Sequence, residues 1–363
     1  MRLKQPKHFQ IILAIARKDI TQAIKDHMTL GIIIGLLFLI LPSQLIPLIL
    51  QNESTPLAVI YSPESTSLAQ NLADVSGTSA IQVNSLADLE DEIASGRSQV
   101  IGLALPEDFS EIMISGETVK IDGYLPHWAK PEESNQLIQD LEEKMQTLIG
   151  STVEITVVDD QVHPDENTRG SEVMFVLQMV NASLLIALVL VPQLIMVEKQ
   201  THTLDALLVS PATLPDLLIG KCLTGVLYST AAGLLVILMN VRLIAHWWLL
   251  IAANLSGIIF AVSMGLLIGL IFEDFKQATM SMYMVVMLVL APPLIKLIFT
   301  VKLPDWIDLF VNWLPSSQLA QLSLMSLMKS LALNQVLLGL AAIWLGNLIL
   351  FGLNFWQIRQ KMR

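Results

Sequence analysis

Cysteine is almost absent: the 363 residues hold one, Cys222, inside an apolar run. No disulfide can therefore staple a soluble part of the chain, which must rely on an ordinary packed core. Charge is scarce as well. Only 15% of residues are charged against 53% hydrophobic, and mean hydropathy is +0.62, a balance too apolar for an ordinary soluble domain. The long apolar runs lack charge altogether. Six stretches, Met28–Leu50, Val173–Val197, Cys222–Val241, Trp247–Phe272, Gln277–Ile295 and Ser330–Ile358, contain no Asp, Glu, Lys or Arg, and a bilayer core of about 30 Å needs roughly 20 apolar residues per helix. Charge-free spans argue against a proton- or sodium-driven carrier, which usually keeps an ionisable group in the bilayer. They argue equally against an intramembrane hydrolase, because Ser183, Ser229, Ser256 and Ser263 have no His spaced to serve as base.

Missing motifs narrow the function further. A P-loop needs G-x-x-x-x-G-K-[ST], so that glycine amides approach phosphates and a hydroxyl reaches magnesium. Here Gly220-Lys221 is followed by Cys222, and Pro215 stands where the first glycine belongs. The chain is therefore not expected to hydrolyse ATP. Six histidines, at positions 8, 27, 127, 163, 202 and 246, form no H-E-x-x-H and no paired ligand spacing. The acidic groups Glu90-Asp91-Glu92, Glu132-Glu133, Glu142-Glu143 and Asp159-Asp160 do not follow the calcium-loop pattern and read as solvated faces. Neither a metal site nor a nucleic-acid partner is expected.

The charge that is present is segregated. Residues 51–172 carry 23 acids and 5 bases, a net of −18, against 9 acids and 16 bases, a net of +7, elsewhere; together these give the whole-chain −11. Basic residues resist translocation, and the first 27 residues hold six of them against two acids, which places the N-terminus in the cytoplasm. Six crossings then bring Arg359, Lys361 and Arg363 to the same side. The first run, with 23 charge-free residues and no A-x-A-like site after it, is expected to stay as an anchor rather than act as a cleaved signal. The expected architecture is a polytopic α-helical membrane protein with six transmembrane helices and an acidic α/β extracytoplasmic domain (51–172) inserted between helices 1 and 2. Strands are predicted at Leu57–Tyr61, Ile81–Asn84, Val100–Leu105, Val119–Leu125 and Val153–Val158, and helices at Ser65–Val75, Leu86–Ser95 and Pro131–Ile149.

Residues 198–221 form a cytoplasmic loop too long for a bare turn. Leu204, Leu207, Leu208 and then Leu214, Leu217, Leu218 recur at helical spacing on either side of Ser210-Pro211, so two short amphipathic helices are predicted with a break at the proline. Periodicity alone would also suit a pair of interfacial helices. Inside the spans, Gln178, Asn181, Tyr228 and Asn254 are the polar marks that a substrate path could use. The G-x-x-x-G pairs Gly31–Gly35 and Gly265–Gly269 suit close helix packing within one subunit or at a dimer seam.

The order of these features resembles the ABC transporter type-2 permease family, the membrane-spanning subunits of drug-efflux-like exporters. Glu198, Lys199, Thr203, Leu204, Leu207, Leu208, Ser210, Pro211, Gly220 and Lys221 match the family's loop after the second span, with Gln200, His202 and Asp216 departing from it. Ala16–Asp26, containing Arg17, Lys18, Asp19, Lys25 and Asp26, is similar to the family's N-terminal interfacial helix, and Leu303–Leu322 to its outer re-entrant helices, here within 296–329. The resemblance implies that the loop couples to two separate ABC ATPase subunits, with leucine anchors buried and Glu198, Lys199 and Asp205 at a polar rim. It also implies a second permease copy or a related permease, contact with membrane lipid, ATP and magnesium held only by the partner, and a multi-pass place in the cell membrane with both termini cytoplasmic. Amphipathic, drug-like or lipid-like cargo would suit the apolar spans. A rival layout is a membrane-anchored receptor whose outer domain binds a ligand.

Overall fold

The computed structural model describes residues 8–25, 31, 34, 57–63, 79–95, 100–116, 118–129, 131–158, 162–163, 171–200, 213–298 and 304–361. The predicted span 28–50, apart from Gly31 and Ile34, lies outside these residues. So do the predicted helix at 65–75, the loop residues Thr203, Leu204, Asp205, Leu207, Leu208, Ser210 and Pro211, and Asp26.

An N-terminal helix, α1 (His8–Lys25), precedes an α/β unit. That unit comprises β1 (Leu57–Tyr61), β2 (Ser79–Val83), α2 (Leu86–Ser95), β3 (Val100–Ala104), α3 (Phe109–Ser115), β4 (Val119–Tyr124), α4 (Pro131–Ile149) and β5 (Val153–Val157). The sheet order is β2-β1-β3-β4-β5; β3 and β4 run antiparallel and the other neighbours parallel. Continuous apolar sequence (LAVIY, VIGLA) marks the inner strands, because a strand covered on both faces needs no polar alternation. Alternating VKIDGY marks β4, whose inward Val119 and Ile121 are fully buried. On one face Ile60, Ile101, Leu103 and Ile121 pack with Leu137, Leu141 and Met145 of α4. Val59 and Val100 pack on the other face with Leu89 and Ile93 of α2. Gly102 is required there, since a Cβ would stand 2.2 Å from Ile93 Cδ1 and 2.7 Å from Leu89 Cδ2. Gly150 closes α4 in the left-handed region at φ 78°, its amide donating to the Gln146 carbonyl. The two-turn helix α3 has no counterpart among the predicted elements; seven residues give too short a period to read.

Among the described residues, five helices are long and apolar enough to cross a membrane: α5 (Ser171–Gln200), α6 (Leu214–Met239), α7 (Trp247–Ile271), α8 (Phe275–Ile298) and α11 (Leu333–Lys361). A 3-10 turn (Val241–Leu243) joins α6 to α7, and two short helices, α9 (Asp305–Trp313) and α10 (Pro315–Met325), stand between α8 and α11. The long helices overlie five of the charge-free runs. The largest difference in a boundary is at α6, which begins at Leu214 rather than at Cys222, so the second arm of the predicted loop is the first two turns of that helix. Lys221, whose charge set the predicted boundary, enters the helix because its charge is paired.

Helices α5 and α7 are the inner pair, with 72% and 61% of their apolar windows buried against 28% for α8. Gly265 and Gly269 let them meet. A Cβ at Gly265 would lie 2.9 Å from the Ala187 carbonyl oxygen and one at Gly269 2.6 Å from Ile195 Cδ1, so this G-x-x-x-G pair serves packing within the chain. Helices α7 and α11 run parallel in a fixed register: the Asn347 amide donates to the Ser256 carbonyl at 3.2 Å and Asn354 to Ser263 at 2.8 Å, seven residues apart on both helices.

Candidate functional site: the ion cluster at the base of the bundle

The ends of the 198–221 loop converge on α1. Lys221, 1% exposed, places its Nζ 3.2 Å from Asp19 Oδ2 of α1 and 3.2 Å from Glu198 Oε1 of α5. Lys18 Nζ adds a second, solvent-facing cation 3.3 Å from the same Glu198 oxygen. A buried charge survives only when paired and hydrogen-bonded, and here one ammonium serves two carboxylates on two other helices. Burial pushes the Asp19 carboxyl above the usual aspartate range, and Lys221 pulls it back down.

The glycine before that lysine has its own role. A Cβ at Gly220 would lie 2.8 Å from Ile15 Cγ2 and 3.3 Å from the Ile12 carbonyl, so its absence is what lets α1 lie against α6. Two further ties continue the contact. His8 Nδ1 sits 3.0 Å from Asp216 Oδ2, and the Tyr228 hydroxyl donates to the Ile20 carbonyl at 3.0 Å. Asp216 also closes a capping box with Thr213, whose hydroxyl donates to it at 2.7 Å, which is why the helix starts here. The Thr213-Leu214-Pro215-Asp216 string is a readable start signal, and the charge-free-run criterion passed over it.

Glu198 and Lys199, expected at a polar rim, are engaged inside the chain. Glu198 is 6% exposed, and a buried carboxylate cannot form a rim. Lys199 Nζ donates to the Gly269 carbonyl at 2.8 Å and to that of Phe272, satisfying carbonyls left open at the end of α7. Arg17 is exposed on the outer face of α1; Lys25 ends that helix, its side chain beyond the described residues. The polar marks of the spans lie between helices: Asn254 donates to Ser183 at 2.8 Å, Gln178 accepts from Asn240 at 3.4 Å, and Asn181 is half-buried on α5. Sequence reading did not anticipate the union of Asp19 with Lys221, 202 residues apart, for which no local pattern exists.

This arrangement offers no nucleophile beside a base. It offers a mechanical joint, in which α1, the end of α5 and the start of α6 share buried charges while Lys199 adds the end of α7. The family model described as ABC-2 family transporter protein matches residues 28–356. The chain belongs to this family. It is a multi-pass membrane protein, the transmembrane subunit of an ABC transporter, and the family partners with ABC ATPase subunits. No curated protein and no solved structure matches the chain.

Proposed function

We propose that this permease is the membrane subunit of an ATP-binding cassette exporter that moves an amphipathic, drug-like or lipid-like substrate out of the cytoplasm or inner leaflet. ATP is hydrolysed on two separate subunits, which dock on the 198–221 loop of this chain and of a second permease. The ion cluster carries this reading. Because Lys221 binds Asp19 and Glu198 together, a push on residues 201–212 reaches α5, α6 and α1 as one body instead of bending a single helix. Leu204, Leu207 and Leu208 supply the apolar anchors that a helix-in-groove contact requires, while Glu198, Lys199, Gly220 and Lys221 hold the loop's ends. In this reading the loop, α1 and both termini are cytoplasmic, and the α/β unit lies outside the cell membrane.

The test is gentle solubilisation from the native membrane and identification of what copurifies. A stoichiometric partner carrying G-x-x-x-x-G-K-[ST] is expected, and Leu207→Asp with Leu208→Asp should abolish its association while membrane insertion is retained, since each buried anchor contributes about 2 kcal/mol or more. Normal association of the double variant overturns the docking place. Absence of any such partner moves the reading to a ligand-binding receptor.

A further inference from the structure

Two histidines far apart in sequence meet where the α/β unit rests on the bundle. The rings of His127 and His163 stack with centroids 4.5 Å apart and planes 15° from parallel. His127 Nε2 lies 3.1 Å from the Leu243 carbonyl oxygen, and His163 Nδ1 lies 3.5 Å from that of Leu327. A carbonyl only accepts, so the proton of each ring must sit on the nitrogen facing it. Backbone bonds hold the rings in place: the His127 amide donates to Val162 at 3.0 Å and the Val162 amide to Leu125 at 2.9 Å. The two accepting carbonyls belong to one platform, because the amides of Ala245 and His246 both donate to the Ser326 carbonyl, at 3.0 and 2.8 Å.

The remaining nitrogen of His127, Nδ1, is buried with no hydrogen-bond partner. With the proton on Nε2 it is a bare lone pair, which the site tolerates. Once protonated it becomes a buried N–H with no acceptor, carrying charge against a second imidazole. Burial holds His127 below the ordinary histidine range and His163 adds to this, while the Leu243 and Val162 carbonyls oppose it. Among the described residues, the other titratable or charged groups on the packed segments are Asp122 and Tyr124 of β4, Arg242 beside Leu243, His246, Lys329 beyond Leu327, and the buried Glu172 at the head of α5. His163 is the titratable group whose charge acts on His127.

We propose that the stacked His127–His163 pair is an acid-released clasp: neutral, it holds the α/β unit on the platform of residues 241–246 and 326–329, and protonated, it lets the unit go. The sign follows from linkage. A released His127 takes a proton near its ordinary value of 6.5, whereas the docked one takes it only at lower pH. Docking is therefore at full strength above that value and weakens as pH falls below it. The clasp is independent of the transported molecule and of the ATPase that drives the permease.

The test is hydrogen exchange of the full chain in lipid nanodiscs at about pH 7.5 and about pH 5, corrected for the intrinsic rate. Protection of residues 125–129 and 241–246 should fall measurably at the lower pH, because the released His127 binds a proton that the docked one binds only weakly. Protection of β1 and β3 should stay constant. In H127Q/H163N, whose amide nitrogens stand where the donating ring nitrogens stood and cannot titrate, protection should no longer depend on pH. Equal protection of the natural chain at both values overturns the clasp, as does a pH-dependent fall that persists in the double variant. If the variant is unprotected at both values, 13C-histidine titration of the natural chain decides: a His127 signal titrating below 6.5 supports the clasp, and one titrating at or above 6.5 overturns it.

Discussion

Replacing Lys221 by methionine keeps the length and apolar stem of the side chain and removes its charge. Two carboxylates, Asp19 and Glu198, then share a buried site, since both lie 3.2 Å from the missing Nζ. Glu198 retains Lys18 at 3.3 Å; Asp19, 3% exposed, loses the ammonium that held it ionised and takes up a proton instead. Neutralising an aspartate of ordinary pKa near 3.9 at pH 7 costs about 4 kcal/mol. Burial already raises Asp19, so this figure is a ceiling, in keeping with the ~3–5 kcal/mol lost when one partner of a buried pair is removed. Asp19→Asn should cost only about 1 kcal/mol, because Lys221 keeps Glu198 and an amide replaces a carboxyl already pushed toward neutrality. Asp19→Asn with Lys221→Met should therefore be more stable than Lys221→Met alone, by about 2 kcal/mol. The deficit of Lys221→Met should also shrink between pH 7 and pH 5, by at most about 2.7 kcal/mol, as the proton becomes easier to acquire. Denaturant unfolding in mixed micelles, followed by helical circular dichroism, measures all four chains. A pH-independent deficit, or equal losses for Asp19→Asn and Lys221→Met, would refute the assignment of Lys221 as the shared counter-ion.

Other outcomes follow from the same contacts. Gly220→Val should force α1 off α6 and cost about 1–3 kcal/mol, since Ile15 lies 2.8 Å from where its Cβ would be; a spin-label distance between the two helices reports the separation. Asn354→Leu should be nearly neutral in thermal stability, because it removes a buried amide oxygen without a partner together with the bond to Ser263. Asn354→Asp should be strongly destabilising, because it buries a charge. Lys199→Met should loosen the end of α7 by about 1.5–3 kcal/mol, the range for bonds to charged groups, visible as faster exchange of the amides of 269–276.

The elements legible from sequence are those whose signal is local. Charge-free runs gave α5, α7, α8 and α11 within a few residues, because desolvating a charge in hydrocarbon is costly enough to leave long gaps in the charge pattern. Alternating and continuous apolar strings marked the five strands, and Pro131 with Gly150 bracketed α4. The same criterion failed at α6, where Lys221 sits inside the helix with its charge cancelled by residues 23 and 202 positions away.

The ion cluster was only half legible. The Gly220-Lys221 pair stood out in sequence as a loop end, yet the meaning of each residue depends on α1: the glycine makes room for Ile15, and the lysine answers Asp19. The six histidines read as scattered, and two of them stack where the α/β unit meets the bundle. Asn347 and Asn354 likewise find their carbonyl partners 91 residues away. Sequence alone determined that the chain belongs in a membrane and marked the long apolar helices among the described residues, because hydrophobic burial sums over neighbouring residues. Tertiary structure decided which polar groups lie together, because Coulomb attraction and hydrogen bonds act over a few ångströms of space regardless of distance along the chain.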